Sequence, residues 1–155
     1  NKRGRGAVGQ QNVAIMAESV PLENPKLDKK EKSCRYFKAK VLETHTAEEI
    51  NEVVKQNIDN QSIVFTDQST SYVDISNFVE LHITEKSTED TTKTTLKWVH
   101  IVISNAKRNL LCNYHKIKRK YLQLYLDEFV YKLNRRYFGE HLFDRLVLAN
   151  ITAYE

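Results

Sequence analysis

Two segments in the first third of the chain carry strand patterning, and they constrain the fold more than any other feature. Val13 to Val20 is a nearly continuous apolar run, as expected of a strand covered on both faces. Arg35 to Leu42 alternates, with Phe37, Ala39 and Val41 facing one way and Tyr36, Lys38 and Lys40 the other. That two-residue period is a strand signature. Residues 21–34 between them hold both prolines and the run KLDKKEK, which reads as a long solvated loop. The two strands are therefore expected to pair as a hairpin. Ile63 to Thr66 reads as a third strand, and Glu80 to Ile83 as a further short one.

Helical patterning takes over elsewhere. Thr46-Ala47-Glu48-Glu49 starts a helix, with Thr46 as N-cap and Glu49 at the capping-box position, and Ile50, Val53, Val54 and Ile58 form its apolar face. After a polar stretch at 84–95, read as a mobile loop, the spacing predicts helices over 98–111, 118–137 and 140–149. In the middle one Leu122, Tyr125, Leu126, Phe129 and Leu133 recur at helical intervals. Gly139 suits a helix terminus. Strands come first, a helix lies between them and a helical block closes the chain, so the fold class is α/β or α+β.

A chain of 155 residues suits one domain with a sizeable core. Residues 1–11 hold three of the four glycines and the basic run NKRGRG, and read as a basic flexible arm ahead of a core over 12–155. Apolar residues at 41% and aromatics at 10% exclude a disordered chain. The net charge of +4 favours an anionic partner. Cys34 and Cys112 form no CxxC and read as free thiols of a reducing compartment. No apolar run is long enough to cross a membrane. The chain opens at Asn1 without a methionine and reads as a fragment of a longer protein.

Three groups of residues are candidates for chemistry. Asp67 stands where a strand runs out into DQSTSY. Functional groups gather at the carboxyl ends of strands in open α/β sheets, yet an aspartate there also caps turns. His100, Ser104 and Lys107 fall on one stripe of an otherwise apolar helix flanked by Val99, Val102, Ile103, Ala106 and Leu110. Such a stripe either meets solvent or lines a site. Lys107-Arg108, Lys116, Lys118-Arg119-Lys120 and Arg135-Arg136 are interleaved with Tyr114, Tyr121, Tyr125, Tyr131 and Tyr137. Lysine and arginine suit phosphate contacts and exposed aromatics can stack on bases, while the helical spacing of the tyrosines suits core packing.

VFTDQSTSY resembles the second-aspartate motif of bacterial insertion-sequence DDE transposases of the ISXO-like class, which are related to Merlin elements. KRGRGAVG resembles their stretch after the first catalytic strand, and WVHIVISNAKRNLLCNYH followed by KYLQLYLDEFVYKLNRR resembles their closing region. The resemblance implies a ribonuclease H-like mixed sheet flanked by helices, and a DNA transposase that cleaves and joins phosphodiesters with Mg²⁺ or Mn²⁺. It places the second metal ligand at Asp67. The third position, usually glutamate, falls on His100, a ligand type better suited to Mn²⁺, and both residues are expected to converge on one site. The first catalytic aspartate and its strand match no residue here. Lys107, Arg108, Lys118, Arg119 and Lys120 are the expected DNA contacts. The partners implied are the element's terminal repeats and target DNA, with a possible homodimer and no membrane, in a bacterial cytoplasm at the nucleoid. The alternative is a non-catalytic DNA-binding or structural module derived from such an enzyme.

Overall fold

Strands β1 (Asn12–Pro21) and β2 (Lys32–Leu42) pair antiparallel in the computed structural model, which describes residues 11–21, 32–114 and 116–153. The expected hairpin is therefore present. The arm at 1–11, apart from Gln11, and residues 22–31 of the expected loop lie outside the described residues. The register shifts between Ala17 and Ser19, where Arg35 and Tyr36 together oppose Glu18. This bulge changes the parity of β2. It turns Cys34 to the same side as Phe37, and both are buried in one cluster with Val102.

The hairpin is covered on both faces, as the apolar run of β1 requires. On one face Ala14 and Leu42 pack with Ile50 and Val54 of helix α1 (Ala47–Asn57). On the other, Ile15, Ala17 and Phe37 meet α3 (Lys97–Asn113) and α4 (Leu122–Asn134) through Val102, Trp98, Phe129 and Leu133. Thr46 caps α1 as expected, its hydroxyl accepting from the Glu49 amide at 3.4 Å. The Glu49 carboxylate reaches further back than a capping box does, to the amides of Glu43 (2.7 Å) and Thr44 (2.8 Å).

Helix α4 also seals the outer edge of β2. The Asn134 side chain accepts from the Phe37 amide at 2.8 Å and donates to the Phe37 carbonyl at 2.9 Å. Gln123 accepts from the Val41 amide at 2.8 Å and donates to the Ala39 carbonyl at 3.0 Å. Arg136 donates to the Cys34 carbonyl at 2.9 Å. These side chains occupy the positions that a further strand would take.

Strand β3 (Ile63–Asp67) pairs in parallel with β4 (Leu81–Glu85). Two 3₁₀ turns, Thr70–Tyr72 and Ile75–Asn77, make the crossing and bury Ile75. The antiparallel and parallel pairings expected of a mixed sheet are both present, in two separate ladders among the described residues. The ladders nevertheless share a core, since Ala14 of β1 and Val64 of β3 pack on one cluster. β3 forms as expected and is covered on one face: Ile63 is 56% and Phe65 42% exposed, while Val64 packs on the core. The 84–95 segment is not all loop, because a short helix, α2 (Glu89–Lys93), forms behind a Thr88–Thr91 capping box. The closing helix, α5 (Leu142–Ala153), follows a left-handed Gly139 (φ 52°) and is exposed from Phe143 onward.

Candidate functional site

Asp67 is the last residue of β3, at the carboxyl end of the parallel pair. One of its carboxylate oxygens accepts from the Ser69 amide at 3.1 Å, so the turn-capping role is real. The other oxygen makes no hydrogen bond among the described residues. Glu85 is the register partner of Asp67 across the ladder. Paired residues of a parallel ladder project to the same face, so two half-buried carboxylates stand side by side where the strands end. The sequence offered no sign of Glu85, because the β pattern fades at Ile83 and a polar loop was expected from Thr84.

Beside this edge, on the covered face, the Thr66 hydroxyl lies 2.8 Å from His82 Nε2 and donates to the Asp67 carbonyl at 3.0 Å. With its one proton committed, the hydroxyl accepts from an Nε2–H of His82. Burial holds the His82 imidazole below its ordinary protonation range, which favours that neutral form.

His100 is half-buried on α3. An open cleft of about 560 Å³ runs between α2 and α3, lined among others by Lys93, Lys97, His100, Ser104, Asn105 and Arg108. Of the expected stripe, His100 and Ser104 line the cleft together. Lys107 does not, and its place is taken by Arg108. Asp67 is also absent from the lining. On the buried side of α3, Val102 and Ala106 are in the core as expected.

The remaining expected DNA contacts are exposed. Lys107 and Arg108 are on α3, and Lys118, Arg119 and Lys120 lie at a 3₁₀ turn before α4. Arg119 bonds to Gln11, and the Lys120 ammonium sits 4.7 Å from the Tyr121 ring centroid. Tyr121 is exposed, whereas Tyr114 and Tyr125 pack against each other with centroids 4.4 Å apart. The expectation that most of the tyrosines serve packing holds for that pair.

No three of His, Cys, Asp and Glu converge on a possible metal position among the described residues. Asp67 and Glu85 supply hard oxygen of the kind Mg²⁺ prefers, but the set is short of what a two-ion site requires. No helix among the described residues is long and apolar enough to cross a membrane.

No curated protein and no solved structure matches the chain. A family model does: that of the ISXO2-like transposase domain, over residues 1–134. This span holds both ladders, Asp67, the cleft on α3 and the whole of α4. The chain belongs to the ISXO2-like transposase family.

Proposed function

We propose that this chain belongs to a transposase catalytic core, which cuts and joins DNA at the ends of an insertion sequence by metal-dependent phosphodiester cleavage and strand transfer. The observation that carries the reading is the position of Asp67. Within the span matched by the family it ends a parallel strand, where a side chain can reach a ligand beyond the sheet. Asp67 is assigned as an acidic metal ligand. His100 is assigned to the third position of the triad, as ligand or proton carrier. Mg²⁺ or Mn²⁺ would supply Lewis acidity at the phosphodiester, and ligands beyond the described residues would complete its shell.

The unequal edges of the hairpin support this. β2 is sealed by α4, while the second edge of β1 carries no such cover among the described residues. A strand bearing the first acidic ligand would fit between β1 and β3 over the core they share. Lys107, Arg108, Lys118, Arg119 and Lys120 are assigned to the DNA backbone, and a homodimer in the bacterial cytoplasm is part of the same proposal. The short ligand set favours one alternative, a DNA-binding module without catalysis.

The test is a strand-transfer assay with the full-length protein and its terminal repeats, in Mg²⁺ and in Mn²⁺. Activity abolished by Asp67→Ala supports the catalytic reading. Activity that survives Asp67→Ala removes the site assignment. DNA binding without cleavage in either metal selects the alternative.

A further inference from the structure

We infer that the cleft between α2 and α3 is a docking groove for the phosphodiester backbone of duplex DNA, held by Lys93, Lys97 and Arg108. This rests on the reading that the chain acts on DNA. It adds two residues, Lys93 and Lys97, that no motif marks.

The lining is cationic, and no carboxylate belongs to it. Lys97 and Arg108 make no ion pair among the described residues, and Lys93 pairs only with exposed Glu89. The polar groups of α3 in the cleft are also uncommitted. The His100 imidazole, the Ser104 hydroxyl, the Asn105 amide and the Arg108 guanidinium have no hydrogen-bond partner among the described residues, and the cleft therefore presents donors with nothing to receive them. A groove lined by cations and free donors, with no carboxylate in its lining, favours an anion.

The spacing selects a polymer over a small anion. From Lys97 to Arg108 the helix rises about 16 Å, and one DNA strand advances about 3.4 Å per phosphate. Laid along the duplex axis the row therefore covers several phosphates, far beyond the reach of one inorganic phosphate. Lys97, His100, Ser104 and Arg108 follow one another at three- and four-residue steps, so they stay on one side of α3 along that length. The capping box of α2 holds Lys93 against the amino-terminal end of the same row. A bound strand would run past His100.

The experiment measures duplex DNA affinity of the full chain across a salt series, for the native protein, Lys97→Ala/Arg108→Ala, and a control, Lys38→Ala/Lys55→Ala, whose lysines are exposed on β2 and α1. All four side chains are exposed, and matching thermal melts confirm folding. The cleft variant is expected to bind about tenfold more weakly, with the slope of log K against log salt shallower by about two. The control is expected to bind as the native protein does. Equal losses in cleft and control variants overturn the groove, as does an unchanged cleft variant. Inorganic phosphate at millimolar concentration that abolishes binding equally in native and cleft variants would overturn the polymer argument. If the native chain binds no duplex at all, the failure belongs to the DNA reading itself.

Discussion

Single side chains already divide into those that the interior has silenced and those still open to reagents. Cys34 is wholly buried, and burial pushes its thiol up to about 11 against the pull of the Arg136 guanidinium. Cys112 is exposed on α3. Thiolate is the reactive form, so one thiol per folded chain should react rapidly with a disulfide reagent, and the second only on denaturation. Two fast thiols would show that Cys34 is not held as described. Glu49 offers a pH readout. Burial alone would raise its carboxyl, but hydrogen bonds from the Thr44 hydroxyl and the Glu43 and Thr44 amides outweigh it and hold the group below its ordinary 4.5, with His45 adding to the effect. A depressed carboxyl stabilises the fold above its unfolded value and loses that contribution as pH falls through the folded one. Glu49→Ala should therefore cost about 1 kcal/mol near neutral pH, and the difference from the native protein should shrink steadily in melts as pH falls below the ordinary 4.5. A difference that persists in acid would assign the role of Glu49 to packing. The cap itself was legible, because Thr46 and Glu49 stand three residues apart ahead of an apolar stripe. The reach of the Glu49 carboxylate was not, since it depends on how the chain leaves β2.

Elements were legible where a side-chain period is enforced by burial on one side. β1, β2, α1 and α3 all form close to their expected limits, and each has a covered face. Pairing was harder to foresee. The bulge opposite Glu18 and the exposed face of β3 depend on neighbours that local pattern does not encode. α2 was missed because its stability comes from a threonine capping box with no apolar stripe. The seal of α4 on β2 was invisible as well, for Asn134 and Gln123 look like ordinary polar positions of an amphipathic helix. It now yields an ordered pair of outcomes. Asn134→Ala strips both the donor and the acceptor from the buried residue Phe37, and should lower stability by about 2 kcal/mol in urea melts. Gln123→Ala uncovers the carbonyl of buried Ala39 and the amide of half-buried Val41, where water can substitute for one of the two lost partners, and should cost less. The reverse order would mean that α4 is anchored at its amino-terminal end.

At the scale of the whole molecule the two ladders pose the sharpest question, because they share a core without sharing a strand. Backbone groups at a sheet edge seek partners. α4 satisfies that demand on the β2 side, and nothing among the described residues does so for β1. Amide hydrogen exchange separates the two edges directly. The Phe37 and Val41 amides should exchange slowly, at rates set by opening of α4. The β1 amides not bonded to β2 should exchange quickly in dilute solutions of this chain. In a longer protein that carries the proposed strand between β1 and β3, those same β1 amides should become slow, while Phe37 and Val41 barely change. Protection of β1 that rises with the concentration of this chain alone would instead mean that a second copy pairs along the edge, and the homodimer would then be built there. Protection of β1 that is strong and independent of concentration would refute the open edge and, with it, the place proposed for the first acidic ligand. Catalysis should follow the same division. With two carboxylates and no third ligand converging among the described residues, this chain should neither nick nor join DNA in Mg²⁺, whereas the longer protein with slow β1 amides should do both. Cleavage by this chain alone would show that a complete ligand set assembles without the added strand.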